Sequence, residues 1–442
     1  MKILKRKTWL LSVCSVVLPT MLYGQDTAHI TMNEAVELSA KNSSIVQKAD
    51  LELRIAKSNR QQTDAVFLPQ VSLGYNALFS NDPLNAFGFL LQQQRVQASD
   101  FDPGKLNHPG NSHDYVASVD FQLPLINVDK IYARKGAKLQ EDVYKYRAAS
   151  TRDHVQFEVK KAYTQLQFAY QARDVLSSTL QDVKGIYKSV TDFYTQGLLQ
   201  KSDVLNAQVQ VNTIEVALSK AESNIMNASD GLRVLLGEDL SVQAATYQTD
   251  SLIPEHRRPS YQGFSTMRSD ILAMKKAVEA SKMQVKSSAM AFIPSINAFG
   301  NYQFHDNQFF GFNQNAYFVG IMFKWTVFSG NYNRGKFRSA TFQHEKMQKE
   351  YDLYLNKSRT EVERNKRAIS DLNLEIRKQE TSVNQAYESL RIMKNRHQEG
   401  LVSTTDLLLA QAQHSQKRLA LAQSIMNYNI ACYYQDILTT SY

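Results

Sequence analysis

Few side chains in this sequence stand at the spacings that chemistry requires. The nine histidines are scattered, and His108 and His113, which share one segment, have no cysteine or carboxylate at metal-ligand spacing. Glycine motifs for phosphates or dinucleotides do not occur, nor does the Gly-x-Ser-x-Gly turn of hydrolases. Cys432 is the only cysteine after Cys14, so a disulfide, zinc or redox motif is not expected. The sequence predicts no enzyme, no metal site and no cofactor.

The most informative polar residues are two aspartates in a turn that the chain contains twice. The segments "GLLQKSDVLNAQ" (197–208) and "GLVSTTDLLLAQ" (400–411) are offset by 203 residues. Gly197 therefore aligns with Gly400, and Asp203 aligns with Asp406. A turn repeated at nearly half the chain length indicates that the whole chain is built from two repeats.

Each turn has the composition of a helix end followed by a new helix start. Glycine suits the left-handed residue that follows a helix. Ser202 in the first turn, and Thr404 or Thr405 in the second, are the expected N-cap residues. Asp203 and Asp406 then lie in the first turn of a helix, where the helix dipole favours a negative charge.

Long helices must carry these turns. Residues 129–196 and 331–399 contain no proline, and at 1.5 Å per residue each segment predicts a helix of about 100 Å. Both segments have apolar rows at seven-residue spacing, for example Leu176, Val183 and Val190. Returning helices are expected at 202–236 and 404–438, with tips at 197–202 and 400–404. The pattern predicts antiparallel coiled-coil hairpins, and a soluble structural coiled coil would share it.

Four strands change the expected class. The segments "YVASVDFQLPL" (115–125) and "YFVGIMFKWTV" (317–327) alternate apolar and other residues over the length of a transmembrane β-strand. Residues 71–79 and 296–304 alternate in the same way, so strands are expected at about 67–80, 114–126, 292–304 and 316–328. The residues predicted to face lipid are Tyr115, Val119, Phe121, Leu123, Tyr317, Val319, Ile321, Phe323 and Trp325. Soluble β-hairpins on a helical protein are the alternative.

Four strands are too few to close a barrel, and open strand edges are not tolerated in lipid. The chain must therefore oligomerise if the strands lie in a membrane. Two copies would supply 8 strands and three would supply 12, on the four strands predicted here. A barrel of about 8 strands is filled by its own side chains, whereas a larger barrel leaves a channel.

The ends and the connections complete the organisation. Residues 1–24 resemble a secretory signal peptide, with Lys2, Lys5, Arg6 and Lys7 before an apolar stretch. Its removal lowers the net charge from +9 to +5, which does not indicate a nucleic-acid partner. The repeats are expected at 25–240 and 266–442, joined by a linker at 241–265. The connection at 80–114 is 23 residues longer than its counterpart and is expected to be an outer-surface loop.

The order of these segments resembles the TolC-like outer-membrane efflux proteins. The resemblance rests on "TMNEAVELSAKNSSIV", on "FLPQVSLGYN" and "FIPSINAFGNY" before the strands, on "LPLINVDKIYARKGA" and "WTVFSGNYNRGKFRSA" after them, and on the two tips. It implies a mainly α protein with a membrane β-barrel contribution. Three chains would form a 12-stranded barrel in the outer membrane and an α-helical tunnel across the periplasm. A periplasmic adaptor and an inner-membrane pump would be its partners.

The resemblance also implies roles for the two tips. Asp406, in the turn that begins at Gly400, falls on a position where the family places acidic residues around the periplasmic entrance. Where some members carry a second acid, this chain has Leu409. Gly197, Ser202 and Asp203 would lie on the outer turn and face the adaptor. The competing hypothesis is a periplasmic coiled-coil adaptor or scaffold without a pore, and the four apolar strand faces argue against it.

Overall fold

The computed structural model describes residues 27–239, 246–255, 263–440 and 442. The predicted signal peptide and much of the predicted linker lie outside these residues. The elements in chain order are β1 (Thr27–His29), α1 (Met32–Asn42), α2 (Ser44–Gln62), β2 (Gln70–Ser80), α3 (Pro83–Gln92), α4 (Pro103–Asn107), β3 (Ser112–Ile126), α5 (Val128–Thr195), α6 (Lys201–Leu236), β4 (Thr246–Gln248), α7 (Ser269–Met290), β5 (Ser295–Asp306), β6 (Gln314–Lys324), α8 (Tyr332–Gln398) and α9 (Thr404–Thr439).

The four long strands form one antiparallel sheet in the order β2-β3-β5-β6. Val119 of β3 pairs with Leu73 on one side and with Tyr302 on the other, and Tyr302 in turn pairs with Tyr317. Because paired residues share a face of a sheet, the apolar rows of the four strands all lie on the same side. The protein is therefore mainly helical, and one face of this four-stranded sheet is largely apolar.

The opposite face of the sheet is largely polar. It carries Asp120, Gln122, Asn301 and Gln303, and the Asn301 side chain donates to the Asp120 carboxylate at 2.6 Å. We call this side the inner face and the apolar side the outer face. In a water-soluble sheet, the apolar side is covered by the core. Here the apolar face is exposed instead, and the polar face is hydrogen-bonded.

The long helices extend from one end of the sheet in two hairpins. Next to the sheet, α5 packs against α2 on one side and α7 on the other, and α7 packs against α8. Towards the far ends, α5 packs against α6 and α9, and α9 packs against α8. These contacts place the helices side by side as a wall, with α2 and α6 along one edge and α8 along the other.

The widest core lies midway along the wall. Tyr163, Leu166 and Leu232 are fully buried there, and the short parallel strands β1 and β4 close the same region. The Tyr163 hydroxyl donates to the carbonyl of Ile30 at 3.1 Å, and burial raises its pKa to about 12. This region joins the first hairpin, α5 and α6, to α1, α2 and β4.

The connection between β2 and β3 differs from the expected irregular loop, because it contains α3 and α4. Each helix begins at an Asp-Pro pair. Asp82 accepts hydrogen bonds from the backbone of Leu84 and Asn85, and Asp102 does the same for the two residues after Pro103. Aspartate at the N-cap followed by proline is a strong helix start, and composition alone had favoured a loop. We call residues 81–111 the insert.

Candidate functional site

The two tips, 196–203 and 399–406, have the same backbone. Gly197 and Gly400 have φ of 76° and 72°, the left-handed conformation that the sequence predicts. Leu198 and Leu401 each donate to the carbonyl five residues upstream at 2.9 Å. That bond is the Schellman closure of a helix C-terminus, so each long helix ends at the position that its glycine specifies.

The N-caps differ from the prediction. The caps are Gln200 and Ser403, so the predicted Ser202, Thr404 and Thr405 do not occupy that position. Ser403 accepts from the backbone of Asp406 at 3.2 Å and donates to its carboxylate at 2.7 Å. The aspartate lies three residues after the cap in both tips, which is the spacing of a reciprocal cap. That spacing, rather than the hydroxyl nearest the helix, decides where the helix begins.

The same frame presents the two aspartates differently. Asp406 is exposed, whereas Asp203 is half-buried. Near Asp203 lies His397, which is only 5% exposed and contacts the Thr404 hydroxyl at 3.2 Å. Its ring also lies 6.1 Å from the ring of Phe193. His397 therefore joins the second tip to the first.

An apolar cluster anchors both tips behind these contacts. It brings α5, α6 and α9 together, so that neither hairpin end packs alone. Its buried members are Val183, Ile186, Val190, Ala207, Val211, Ile214, Leu407 and Leu408. The predicted seven-residue row through Val183 and Val190 is thus the seam of this end of the wall. Beside it, a cleft of about 570 Å³ separates α5 from α8.

Acid is expected to loosen the contact between the tips. Burial lowers the pKa of His397, and the nearby Asp203 carboxylate opposes that shift. The unfolded chain therefore binds the proton more readily, and stability falls as pH drops below about 6.5 towards the lower folded pKa. Hydrogen exchange, corrected for the intrinsic rate, should show less protection of both tips at acidic than at neutral pH.

His397→Gln should reduce this acid response, because glutamine keeps a donor towards Thr404 but does not titrate. His414, whose pKa burial also lowers, lines the same cleft and should account for the remainder. His154→Gln is the matched control, since His154 is exposed on α5. An acid response as large in H397Q as in the parent would contradict the assignment.

The structure places the predicted lipid-facing residues together on the outer face. Tyr317, Val319, Ile321 and Phe323 of β6 are each more than 60% exposed. Trp325 lies just beyond the strand and donates its indole N–H to the carbonyl of Phe292 at 3.1 Å. The β3 residues Tyr115, Val119, Phe121 and Leu123 lie on the same face in the middle of the sheet, and are partly covered by neighbours.

An aromatic cluster that the sequence analysis missed extends this surface. The short connection between β5 and β6 folds back over the outer face, where Phe310 stacks on Tyr75 at 4.9 Å and Phe309 meets Tyr115 at 5.6 Å. The backbone of Phe310 donates to the Tyr75 hydroxyl at 2.7 Å. Tyrosine favours the membrane–water interface, and Tyr75 and Tyr115 belong to this cluster. The run "FFGF" at 309–312 was the available signal.

Across 27–239, 246–255 and 263–440, no group of three His, Cys, Asp or Glu residues is arranged to hold a metal ion. Within the same part of the chain, no helix is long and apolar enough to cross a membrane.

A wall of long helical hairpins below a sheet with an exposed apolar face defines a class of outer-membrane transport proteins. The family described as "outer membrane efflux protein" matches residues 35–238 and 265–431. The chain belongs to this family. The two matched segments correspond to the two halves of the chain, on either side of the linker. Comparison with curated protein sequences gives no match.

Solved structures share the fold over nearly the whole chain. The outer membrane protein VceC from Vibrio cholerae is 20% identical, covers 93% of this chain and 96% of its own, and has a TM-score of 0.78. The CmeC outer membrane channel of Campylobacter jejuni is 15% identical, with 99% and 94% covered and a TM-score of 0.78. The MtrE channel of Neisseria gonorrhoeae, in its open state, is 15% identical, with 92% and 88% covered and a TM-score of 0.71.

Family and fold together decide between the two hypotheses. The protein is an efflux channel of the outer membrane, with its helices in the periplasm, and not an adaptor without a pore. The family is one of transport ducts rather than of enzymes. The sheet is the part of the chain that enters the membrane. The two tips lie at the ends of the long helices that are farthest from the sheet.

Proposed function

We propose that three copies of this chain form the passive exit duct of a tripartite efflux or secretion system, together with a periplasmic adaptor and an inner-membrane pump. The observation that carries the proposal is the four-stranded sheet. Its apolar face is exposed, and among the described residues its two edge strands each pair on one side only. Membership of the efflux family supports the same assembly. Neither edge is tolerated in lipid unless another strand pairs with it.

The two open edges match each other. Among the described residues, β2 and β6 each pair on one side only, and each is 11 residues long. Because neighbouring strands in the order β2-β3-β5-β6 alternate in direction, β6 of one copy would run antiparallel to β2 of the next. Copies placed side by side would therefore continue the sheet without a change of pattern until the barrel closes.

The helical edges also match. On α6, an exposed apolar stripe lies on the side opposite the buried face that packs on α5, where a neighbouring copy would place its α8. The exposed apolar residues of the α2 and α6 edge include Ile45, Leu51, Ile55, Leu205, Val209 and Val216. Those of α8 include Leu353, Leu374, Tyr387 and Ile392. Burying both sets between copies would remove apolar surface from water along the full length of the wall.

Barrel size favours three copies over two. Strands about 4.8 Å apart and tilted by about 40° give a circumference of roughly 75 Å for 12 strands, or a backbone diameter of about 24 Å. Eight strands would give about 16 Å, which side chains fill. The inner face is polar, with Asp120, Gln122 and Asn301 on it. Polar residues suit a water-filled lumen and would be poorly satisfied in a packed core.

Native mass measurement in detergent tests the assembly, and we expect three chains per particle. Val209→Asp and Val216→Asp should each shift the population towards single chains, because they place a charge in the proposed contact between copies. Asn224→Asp is the matched control, since it adds the same charge to an exposed position of α6 away from the stripe. A parent protein that is stable as a single chain would overturn the proposal.

The tips would then divide their roles. The turn with Gly400 and Asp406 would form the periplasmic entrance, with Asp406 exposed towards the axis. The turn with Gly197, Ser202 and Asp203 would lie outside it and contact the adaptor. The support is that Asp406 is exposed while Asp203 is half-buried beside the second hairpin.

A further inference from the structure

We propose that the insert, residues 81–111, lies inside the barrel at its outer end and sets the size limit for what leaves the channel. The proposal rests on the trimeric barrel proposed above. It assigns a filtering role to a segment that the second repeat does not contain.

Burial shows which face of the sheet the insert covers. The inner-face residues Asp114 and Val116, at the outer end of β3, are 0% and 5% exposed. Further along the same face, Asp120 and Gln122 are exposed. Helix α3 packs on β3, and Gln93, the residue that follows α3, contacts Asp114 at the covered end. The insert therefore folds back onto the inner side of the sheet instead of extending away from the membrane.

One side chain fastens the insert in this position. Gln93, which follows α3, is 3% exposed. Its amide nitrogen donates to the Asp114 carboxylate at 2.9 Å and to the carbonyl of His113 at 2.8 Å. It also lies 3.4 Å from the carbonyl of Asp306, at the end of β5. A buried amide with these partners is costly to release, because each partner would lose its hydrogen bond in a dry site.

The fastening extends to a second strand. His305 of β5 contacts the other oxygen of Asp114 through Nδ1 at 2.7 Å, and both side chains are almost fully buried. The Asp114 carboxylate thus bridges the insert and the neighbouring strand. Gln93, Asp114 and His305 form one connected polar group on the inner face, which is held together as a unit.

The insert is also ordered within itself. Its two helices have aspartate caps and proline at the first position, and Phe87 packs edge-to-face on Phe101 at 5.7 Å. Because of these contacts, the insert is a small folded element rather than a flexible loop. A rigid element inside a channel narrows it permanently.

The size of the barrel determines how strong the narrowing is. An α-helix with its side chains is about 10 Å across. Three such helices, one from each chain, would lie within a backbone diameter of roughly 24 Å. They would leave only a narrow central passage. The connection between β5 and β6 does not add to this obstruction, because it folds onto the outer face with Phe309 and Phe310.

Thiol labelling from outside intact cells tests the proposal. The natural Cys432 is buried, and burial raises its thiol pKa to about 11, so it should react little with a maleimide. It is nevertheless replaced by serine, so that the introduced cysteine is the residue that the probes label. A cysteine is then introduced at Gln122, an exposed inner-face position deeper in the barrel than the insert. The first probe is a small maleimide. The second is a maleimide attached to a polyethylene glycol coil, whose diameter is smaller than that of the open barrel but larger than that of the proposed passage.

We expect the small probe to label Q122C in the parent and the large probe to leave it unlabelled. Replacing residues 82–111 by the short connection of the second repeat, 307–313, should allow both probes to react. Gln93→Ala should allow partial labelling by the large probe. Gln92→Ala should leave the large probe excluded, because Gln92 is exposed and does not hold the insert. Q308C, at an exposed position of the outer connection, is the control that both probes should label in every variant.

The outcomes separate the two proposals. If the large probe labels Q122C in a parent that native mass shows to be a trimer, the insert does not narrow the channel and the trimeric duct stands. If neither probe labels Q122C after the insert is replaced, the inner face does not line a lumen, and both proposals fail. Large-probe labelling that appears only after replacement of the insert or of Gln93 supports the filter.

Discussion

Ile321→Arg is expected to remove most of the protein from the outer membrane, whereas Met322→Arg is expected to leave assembly close to normal. The two residues are adjacent in β6 but point to opposite faces of the sheet. Ile321 is 72% exposed on the apolar outer face, and Met322 is partly exposed on the inner face. The pair isolates the effect of the surrounding medium, because both substitutions place the same charge on the same strand.

The magnitude of the expected loss follows from the lipid. An arginine near the middle of the bilayer on a barrel exterior costs about 2–4 kcal/mol. Three chains contribute it together, so the proposed trimer would lose roughly 6–12 kcal/mol. That loss is comparable to the entire stability of a typical domain, about 5–15 kcal/mol. On the inner face the same side chain remains in water and pays no such penalty.

The measurement is the amount of heat-resistant oligomer in purified outer membranes, compared with the parent. I321R should be strongly depleted and M322R should be near the parent level. Val319→Arg, on the same face as Ile321, should behave like I321R. Equal amounts of I321R and M322R would show that the outer face does not contact lipid.

The faces of the strands were predictable because alternation is a local property. Each strand shows its apolar side without reference to its neighbours, and pairing Val119 with Leu73 and Tyr302 brought those sides together. The order of the strands was not predictable in the same way, because it depends on contacts between residues nearly 200 positions apart, such as Val119 and Tyr302. Long helices were predictable for the same local reason, since proline-free segments with seven-residue rows allow little else.

The tips show where local reasoning reaches its limit. The left-handed glycines were predictable, because few other residues adopt φ near 75°. The caps were not, because several hydroxyls near the helix start compete for one role. Ser403 takes it by pairing reciprocally with Asp406, and Gln200 takes the matching position in the first tip. The buried contact of His397 with Thr404 depends on how two helices meet, which no single segment specifies.

The insert was misread for a related reason. Its Asn, Asp, Pro and Gly content is typical of loops, yet Asp-Pro pairs also start helices. The chain has three consecutive glutamines at 92–94. Of these three, only Gln93 is buried against Asp114. A residue of this kind becomes visible only when the strand that binds it is in place.

Duplication gives the chain two copies of one scaffold, and the differences between the copies are where function can diverge. The sheets and hairpins are matched, so they supply the wall. The connections at the outer end differ in length, and the tips at the other end share a backbone but differ in how exposed their aspartates are. A duct needs two distinct ends, and the repeat provides two variants of each. Asp203 and Asp406 have the same backbone frame, so exchanging each for asparagine compares the two tips directly.

Asp406→Asn is expected to weaken the cation selectivity of the channel and its block by divalent cations, and Asp203→Asn is expected to leave both unchanged. Both aspartates stabilise a helix start by about 0.3–1 kcal/mol at an exposed site, so that shared effect cannot separate them. In a trimer, three copies of Asp406 would face one another around the axis if the second hairpin is the inner one. Three carboxylates at a constriction repel anions and attract cations.

The range of this effect sets the conditions of the experiment. Two unit charges 10 Å apart in water interact by about 0.4 kcal/mol, and physiological salt screens them beyond about 8 Å. Selectivity should therefore be measured at low ionic strength, by reversal potential and single-channel conductance in planar bilayers. Leu409, which is exposed one turn after Asp406, adds an apolar surface next to the charge. Water is less available beside such a surface, so the carboxylates should matter more than at an open mouth.

The two variants are closely matched, since each exchanges one carboxylate for an amide at the third residue of a helix. The amide retains an acceptor for the cap, so helix starts are preserved while the charge is removed. Asp203→Asn should instead weaken binding of the adaptor, which a pull-down with the partner can measure. If only D203N changes selectivity, the first hairpin is the inner one and the roles of the two tips must be exchanged. If D406N and D203N change it equally, the two tips do not divide these roles.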